Sequence, residues 1–288
     1  EHKKFYKIVD YLDWGDVLVL NETKVKRCKL VGRKDSGGVV EVILVNNLGN
    51  NLYETRIKGR GLRPGVKLVF ENIYGRIVEQ DYDKFKVEFN RELTQDDLEL
   101  LTPSYIKTKV KEQDYQTVYA RKEGSLAAPT AGLHFTPELL DEIEKKGVKI
   151  AKIQLDISFE TFLPVIDVNN HKTGREYFGI DEVNAKIINS GKIIAVGTTV
   201  VKCLESCSWK NGKVLPTYGD SQIFIKPGYE FKAPIKAMLT NFHLPQSSLL
   251  LLTSAYAGKE RLLKAYEEAV RLKYRFFSLG DAMLIFRK

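Results

Sequence analysis

The sequence predicts an α/β main domain interrupted by a small antiparallel β-barrel. Three observations carry this: one apolar strand before residue 25, short alternating stretches from about Lys26 to Asn90, and helix-like segments alternating with strand-like ones after about Leu101. The arms 1–25 and 101–288 are then one discontinuous α/β domain, with 26–100 inserted into it.

The first strand is Val17-Leu18-Val19-Leu20, a short β-rich apolar run that ends in turn chemistry at Asn21. Alternation follows in Val39 to Val45, Tyr53 to Ile57 and Lys84 to Phe89, with turn signals at Gly37-Gly38, Asn46 to Asn51 and Arg63-Pro64-Gly65. Beyond Leu101, Thr136 can cap a helix that has Pro137 in its first turn and that ends at Gly147; a strand over Val148 to Ile153 comes next. Ile187-Ile188 closes a second helix, Lys192 to Val196 reads as a strand, and Thr199 to Ser208 as a helix. Gln222 to Ile225 and the aromatic run from Tyr274 read as strands, and Arg261 to Lys273 as an amphipathic helix.

With 288 residues and 43% hydrophobic content, the chain can bury a substantial core, which excludes a fibrous or disordered protein. Lys and Arg number 45 against 37 Asp and Glu, a net charge of +8, and that sign suits a polyanionic partner. The three cysteines, Cys28, Cys203 and Cys207, form no disulfide framework, so a reducing, cytoplasmic setting is expected. No basic-then-apolar leader opens the chain, and the longest apolar stretch, near Ser248 to Ala257, falls well short of the roughly 20 residues that span a bilayer. A start at Glu1 without methionine suggests a trimmed form or a piece of a longer protein.

Four segments place Gly, Pro, Asn, Thr and His where a core prefers aliphatic residues: Ala127 to Thr136, Ala195 to Val201, Thr240 to Ser248 and Tyr274 to Met283. They fall where strands pass into loops, the usual place for ligands in α/β folds. His134 and His243 titrate near neutrality, so either can act as base or proton donor; the bland role for each is a satisfied core or capping histidine. Asp281, after Gly280, is a turn residue or a carboxylate facing a cation. Gly197-Thr198-Thr199 opens a helix, where amides favour anionic or hydroxyl-rich ligands. Arg275, beside Phe276-Phe277, can stack on a nucleotide, although an aromatic pair is more often core. Glu205 and Asp220 read as structural. Cys203 and Cys207 share a helix face through packing, and the histidines show no metal-ligand spacing. Lys107, Lys109 and Lys111 beside Tyr105 form either a nucleic-acid backbone contact or a solvated edge.

The segments A-P-T-A-G-L-H-F-T, V-G-T-T-V-V-K-C-L-E-S, T-N-F-H-L-P-Q-S and Y-R-F-F-S-L-G-D-A-M resemble, in order, the signatures of the S-adenosylmethionine:tRNA ribosyltransferase-isomerase family of queuosine biosynthesis. Asn21 to Val25, Tyr115 to Tyr119, Phe224-Ile225 and Pro227-Gly228 extend the likeness over nearly the whole chain. The resemblance implies transfer of the ribosyl group of S-adenosylmethionine, a consumed substrate with no further cofactor and no metal, to 7-aminomethyl-7-deazaguanine at the tRNA wobble position. Epoxyqueuosine, adenine and methionine would be the products. It also implies catalytic roles for His134, His243 and Asp281, and substrate contacts at Thr130, Gly132, Gly197, Thr198, Thr199, Asn241, Arg275 and Gly280.

Three departures stand out. Asp156 to Phe162 replaces the family's H-V-G-x-G-T-F, Gly174 stands at a family histidine, and Lys202 at a family arginine. A catalytically silent or substrate-shifted tRNA-binding relative is the competing reading, against which the retained histidine motifs argue. An ordinary methyltransferase is disfavoured because Asn21-Glu22-Thr23 stands where its glycine-rich loop would follow the first strand.

Overall fold

The computed structural model describes residues 1–101 and 112–287; Tyr105, Lys107, Lys109 and Lys111 lie outside them. The chain forms two compact units, Glu1–Val25 with Lys109–Lys288, and Lys26–Thr108.

A 3₁₀ helix, Phe5–Tyr11, leads into β1 (Asp16–Asn21) and the short β2 (Thr23–Val25). The inserted unit follows. Its strands β3 (Arg27–Lys34), β4 (Val39–Gly49), β5 (Leu52–Lys58), β6 (Lys67–Phe70), β7 (Ile73–Asp81) and β8 (Lys84–Phe89) pair antiparallel in the order β4-β5-β8-β7-β6-β3. Pairing of β3 with β4 closes six strands into a barrel, and β9 (Glu99–Leu100) adds to β3. Alternation decides the inside: Phe85, Val87 and Phe89 are buried while Lys84 and Glu88 are exposed. The stretch Asn46 to Gly49 is not a turn, because β4 continues through it. The hairpin instead turns on Asn50 and Asn51 at φ of 52° and 59°, the left-handed conformation that asparagine tolerates and that matches strand twist.

The body resumes with β10 (Lys122–Ser125), α1 (Pro137–Lys145), β11 (Lys149–Leu155), β12 (Glu176–Ile180), α2 (Glu182–Ile188), β13 (Lys192–Val196) and α3 (Thr198–Ser206). A small hairpin of β14 (Trp209–Lys210) and β15 (Lys213–Val214) precedes β16 (Thr217–Ser221), β17 (Ile235–Asn241), α4 (Ser248–Ala257), α5 (Lys259–Arg271) and β18 (Ala282–Phe286). Seven of these strands form one sheet in the order β16-β12-β11-β1-β13-β17-β18. Its four central strands, β11, β1, β13 and β17, run parallel, and antiparallel strands flank them.

Because β1 is buried on both faces, its side chains divide by parity. Val17 and Val19 face Ala185, Ile188, Val200 and Leu204 of α2 and α3, while Leu18 and Leu20 face Ile8, Val9, Leu139 and Ile143 of the first 3₁₀ helix and α1. As expected, Thr136 caps α1, its Oγ1 accepting from the Leu139 N–H at 3.2 Å.

Two expected strands are loops. The segment Gln222 to Ile225 leaves the sheet after β16, because the Ile223 N–H turns back to Ser221 Oγ and the Gln222 carbonyl is taken by Thr173 Oγ1; Asp220 lies within β16 rather than ahead of a strand. The aromatic run from Tyr274 is also irregular, and the strand begins only at Ala282. Among the described residues, no helix is long and apolar enough to cross a membrane.

Candidate active site

The carboxyl ends of the parallel strands gather most of the polar residues singled out above. Asn21 ends β1, and its side chain bridges the backbone of Leu155, accepting from its N–H at 3.0 Å and donating to its carbonyl at 2.9 Å. Gly197 leaves β13 with φ at +88° and its N–H on the Leu239 carbonyl at 2.7 Å. Only glycine takes that conformation without strain, and a Cβ there would stand 3.6 Å from Ala131, so this turn lies against the 3₁₀ helix Thr130–His134. Thr198 and Thr199 open α3 and are both buried. The Thr199 hydroxyl has no hydrogen-bond partner, at a helix end whose amides favour negative charge.

Asn241, the last residue of β17, fixes His134. Its Nδ2 donates to the carbonyls of Phe277 and Ser278 at 2.9 and 3.1 Å, which uses both amide protons. Asn241 Oδ1 therefore faces His134 Nε2, 3.2 Å away, as an acceptor. The network assigns the proton to Nε2 and the lone pair to Nδ1. Burial lowers the His134 pKa below its ordinary value; the Asn241 contact and the charge of Asp281 offset part of this. The imidazole is thus neutral near pH 7, stacked on Phe5 at 4.8 Å.

The loop Arg275 to Asp281 closes on itself. Asp281 Oδ2 accepts from the Arg275 N–H at 2.8 Å and Oδ1 from its Nη2 at 2.7 Å, while the Asp281 N–H returns to the Arg275 carbonyl at 2.8 Å. The guanidinium holds the Asp281 carboxyl below the usual carboxylate range. Gly280 is required by backbone contact, since a Cβ would lie 2.5 Å from the Arg275 carbonyl oxygen. Phe276 packs on Phe242 and Tyr266 at 5.1 and 5.6 Å, the core role. Gly132 is likewise pressed on the Tyr119 hydroxyl.

His243 is held apart from this group. Its Nε2 shares a hydrogen bond with Thr240 Oγ1 at 2.8 Å, its N–H donates to the Tyr266 hydroxyl at 2.8 Å, and burial pushes its pKa down to about 4. That arrangement is the satisfied histidine of a packed turn. Glu205 is structural: buried, it accepts from Tyr229 Oη and from the N–H groups of Lys232 and Ala233. Cys203 and Cys207 lie in the core, and among the described residues no group of three or more His, Cys, Asp or Glu could hold a metal ion.

The three departures meet in space. A Cβ on Gly174 would stand 2.2 Å from Ser158 Oγ and 2.5 Å from Glu160 Oε2, so the bare backbone at 174 makes room for the side chains at 158 and 160. Beside them Glu176, only 1% exposed, accepts from Thr161 Oγ1 at 2.8 Å and from the Ser158 N–H at 3.3 Å, and pairs with Lys202. Asp156 points elsewhere, accepting from Thr23 Oγ1 at 2.5 Å and from Gln154. Sequence reasoning registered Lys202 as a lost arginine but missed its partner Glu176, and missed Phe5 under His134; a lone acid in a strand and an aromatic near the amino end carry no signal of their own.

An α/β body with polar residues at the carboxyl ends of its parallel strands, and a barrel inserted after its first strands, defines a ligand-binding α/β class. Within it the relationship is specific. The family described as queuosine biosynthesis protein matches residues 1–285, and the chain belongs to that family. It is 47% identical to the S-adenosylmethionine:tRNA ribosyltransferase-isomerase of Desulforamulus reducens over 99% of this chain and 89% of that protein. It is 46% identical to the protein of the same name from Fusobacterium nucleatum, over 99% and 86%. The crystal structure of S-adenosylmethionine tRNA ribosyltransferase from Thermotoga maritima is similar at 31% identity with a TM-score of 0.53, covering 99% of this chain and 88% of that one.

Proposed function

We propose that this protein is an S-adenosylmethionine:tRNA ribosyltransferase-isomerase. It transfers and isomerises the ribosyl group of S-adenosylmethionine onto the aminomethyl nitrogen of 7-aminomethyl-7-deazaguanine at the tRNA wobble position, with release of adenine and methionine. S-adenosylmethionine is consumed and no separate cofactor takes part; the tRNA substrate puts the reaction in the cytoplasm.

The observation that carries the reading is the neutral His134 whose Nδ1 lone pair is set by Asn241. The reaction needs a base for the proton on the carbon next to the sulfonium, and a neutral imidazole supplies one at pH 7. Once protonated, it is stabilised by the ionised Asp281, whose charge already favours the imidazolium. The α3 amino terminus, with Gly197, Thr198 and the unpartnered Thr199 hydroxyl, receives the carboxylate of the methionine portion. Thr130, Gly132, Arg275 and Gly280 shape the walls around it. His243, its Nε2 bonded to Thr240 inside the same turn, positions this loop.

The test is to incubate the protein with S-adenosylmethionine and tRNA carrying the aminomethyl base, reading adenine and the modified nucleoside by mass spectrometry. His134→Ala should lower turnover by about 10²-fold or more with S-adenosylmethionine binding retained. Normal turnover in that variant rules His134 out as the base; no adenine from the parent protein overturns the function itself.

A further inference from the structure

The departures build the wall of a concavity of about 350 Å³, part of it open to solvent. Glu160, Thr161, His171, Gly174, Lys202 and Phe224 line it, above a floor that includes Leu249 and Leu252 of α4. It lies beside the site described above: Lys202 follows Thr198 on one face of α3, one turn and about 6 Å further along.

Lys202 is committed to the buried Glu176, whose other oxygen is occupied by Thr161 and the Ser158 N–H. Glu160 brings a second carboxylate, seated over the backbone of Gly174, next to a Ser158 hydroxyl that is buried without a hydrogen-bond partner. In the same lining, the rings of His171 and Phe224 lie 5.0 Å apart at 47°. A carboxylate, an aromatic pair and aliphatic side chains in one lining together match a flat heteroaromatic ring with a primary ammonium on a short arm. A Cβ at 174 would push on both the Glu160 carboxylate and the Ser158 side chain.

Resting on the function proposed above, we infer that this pocket holds the acceptor base, with the Glu160 carboxylate accepting from its ammonium group and His171 with Phe224 contacting its ring. Glu160 is then a specificity-determining residue for the acceptor, separate from the group that handles S-adenosylmethionine.

The probes are 7-aminomethyl-7-deazaguanine and its uncharged 7-methyl analogue, titrated calorimetrically into the full chain. The parent should bind the amine at least about tenfold more tightly than the methyl compound, as expected for a charge-assisted hydrogen bond. Glu160→Gln should erase that preference while leaving the methyl compound and S-adenosylmethionine bound as before. Gly174→Ala should weaken both bases, because its Cβ pushes on Glu160. If Glu160→Gln keeps the preference for the amine, or the parent has none, the inference is overturned. Loss of S-adenosylmethionine binding in Glu160→Gln would also overturn it, by placing Glu160 in the donor site. A failure of the function itself reads differently, as absence of adenine release from tRNA carrying the aminomethyl base.

Discussion

Lys202→Met isolates the ion pair beneath that wall. The Lys202 side chain is 12% exposed and that of Glu176 1%, so water cannot replace the lost cation. Breaking a buried pair from one side costs about 3–5 kcal/mol, because the remaining charge is left uncompensated. Glu176 would keep Thr161 and the Ser158 N–H on one oxygen, which places the expected loss near the lower end, about 3 kcal/mol. At roughly 3 kcal/mol/M, the upper part of the urea range, the unfolding midpoint moves down by about 1 M. Both tryptophans, Trp14 and Trp209, belong to the body, and Trp209 donates to the carbonyl of Leu204 on the same helix as Lys202, so fluorescence reads the body rather than the barrel. Pairing Lys202→Met with Glu176→Gln removes both charges and should recover the midpoint to within about 1 kcal/mol of the parent. A loss below about 1 kcal/mol in the single variant refutes the reasoning. So does a double variant as unstable as the single one, which would trace the loss to the packing of the lysine stem.

Three further outcomes follow from the same geometry. His243 is neutral in the fold down to about pH 4 but protonates near its ordinary 6.5 when unfolded; stability should therefore fall on acidification between those values, by on the order of 3 kcal/mol, and His243→Asn should flatten that part of the profile in urea titrations. Gly280→Ala forces a Cβ against backbone atoms of Arg275 and Phe276 and should cost about 1–3 kcal/mol together with activity; an unchanged midpoint would show that the turn relaxes freely. With a net charge of +8, affinity for tRNA should fall at least about tenfold between about 50 and 200 mM salt, and a flat filter-binding series would count against an RNA substrate.

The main lines of the fold were legible because burial on two faces writes itself into composition. Val17 to Leu20 is unbroken apolar sequence, whereas Lys84 to Phe89 alternates, and the two textures distinguish a central parallel strand from a barrel strand. Where the reading failed, polar side chains had taken over the backbone's hydrogen bonds. Ser221 and Thr173 draw Gln222 to Ile225 off the sheet, and Asp281 folds the aromatic run into a loop. Neither event has a periodicity to detect. At the site, residue type pointed equally to His134 and His243; their surroundings differ because the His134 ring meets Asn241, far away in sequence, whereas the His243 ring meets Thr240 inside its own turn. The link between Gly174 and Glu160 was hidden for the same reason, since space vacated by one residue and filled by another is a property of packing.

Before and after the barrel, the chain is fastened to itself. Strand β2 pairs in parallel with β10, and the Gln116 side chain takes both backbone groups of Val25, accepting from its N–H at 3.0 Å and donating to its carbonyl at 2.9 Å. These contacts lie wholly within the body, so its outgoing and returning segments are clasped by residues the barrel does not supply. Loop-closure cost grows only slowly with the length of chain between two such points. The barrel is therefore a cassette: it can lengthen, shorten or change its surface while the sheet that ends in Asn241 keeps its register.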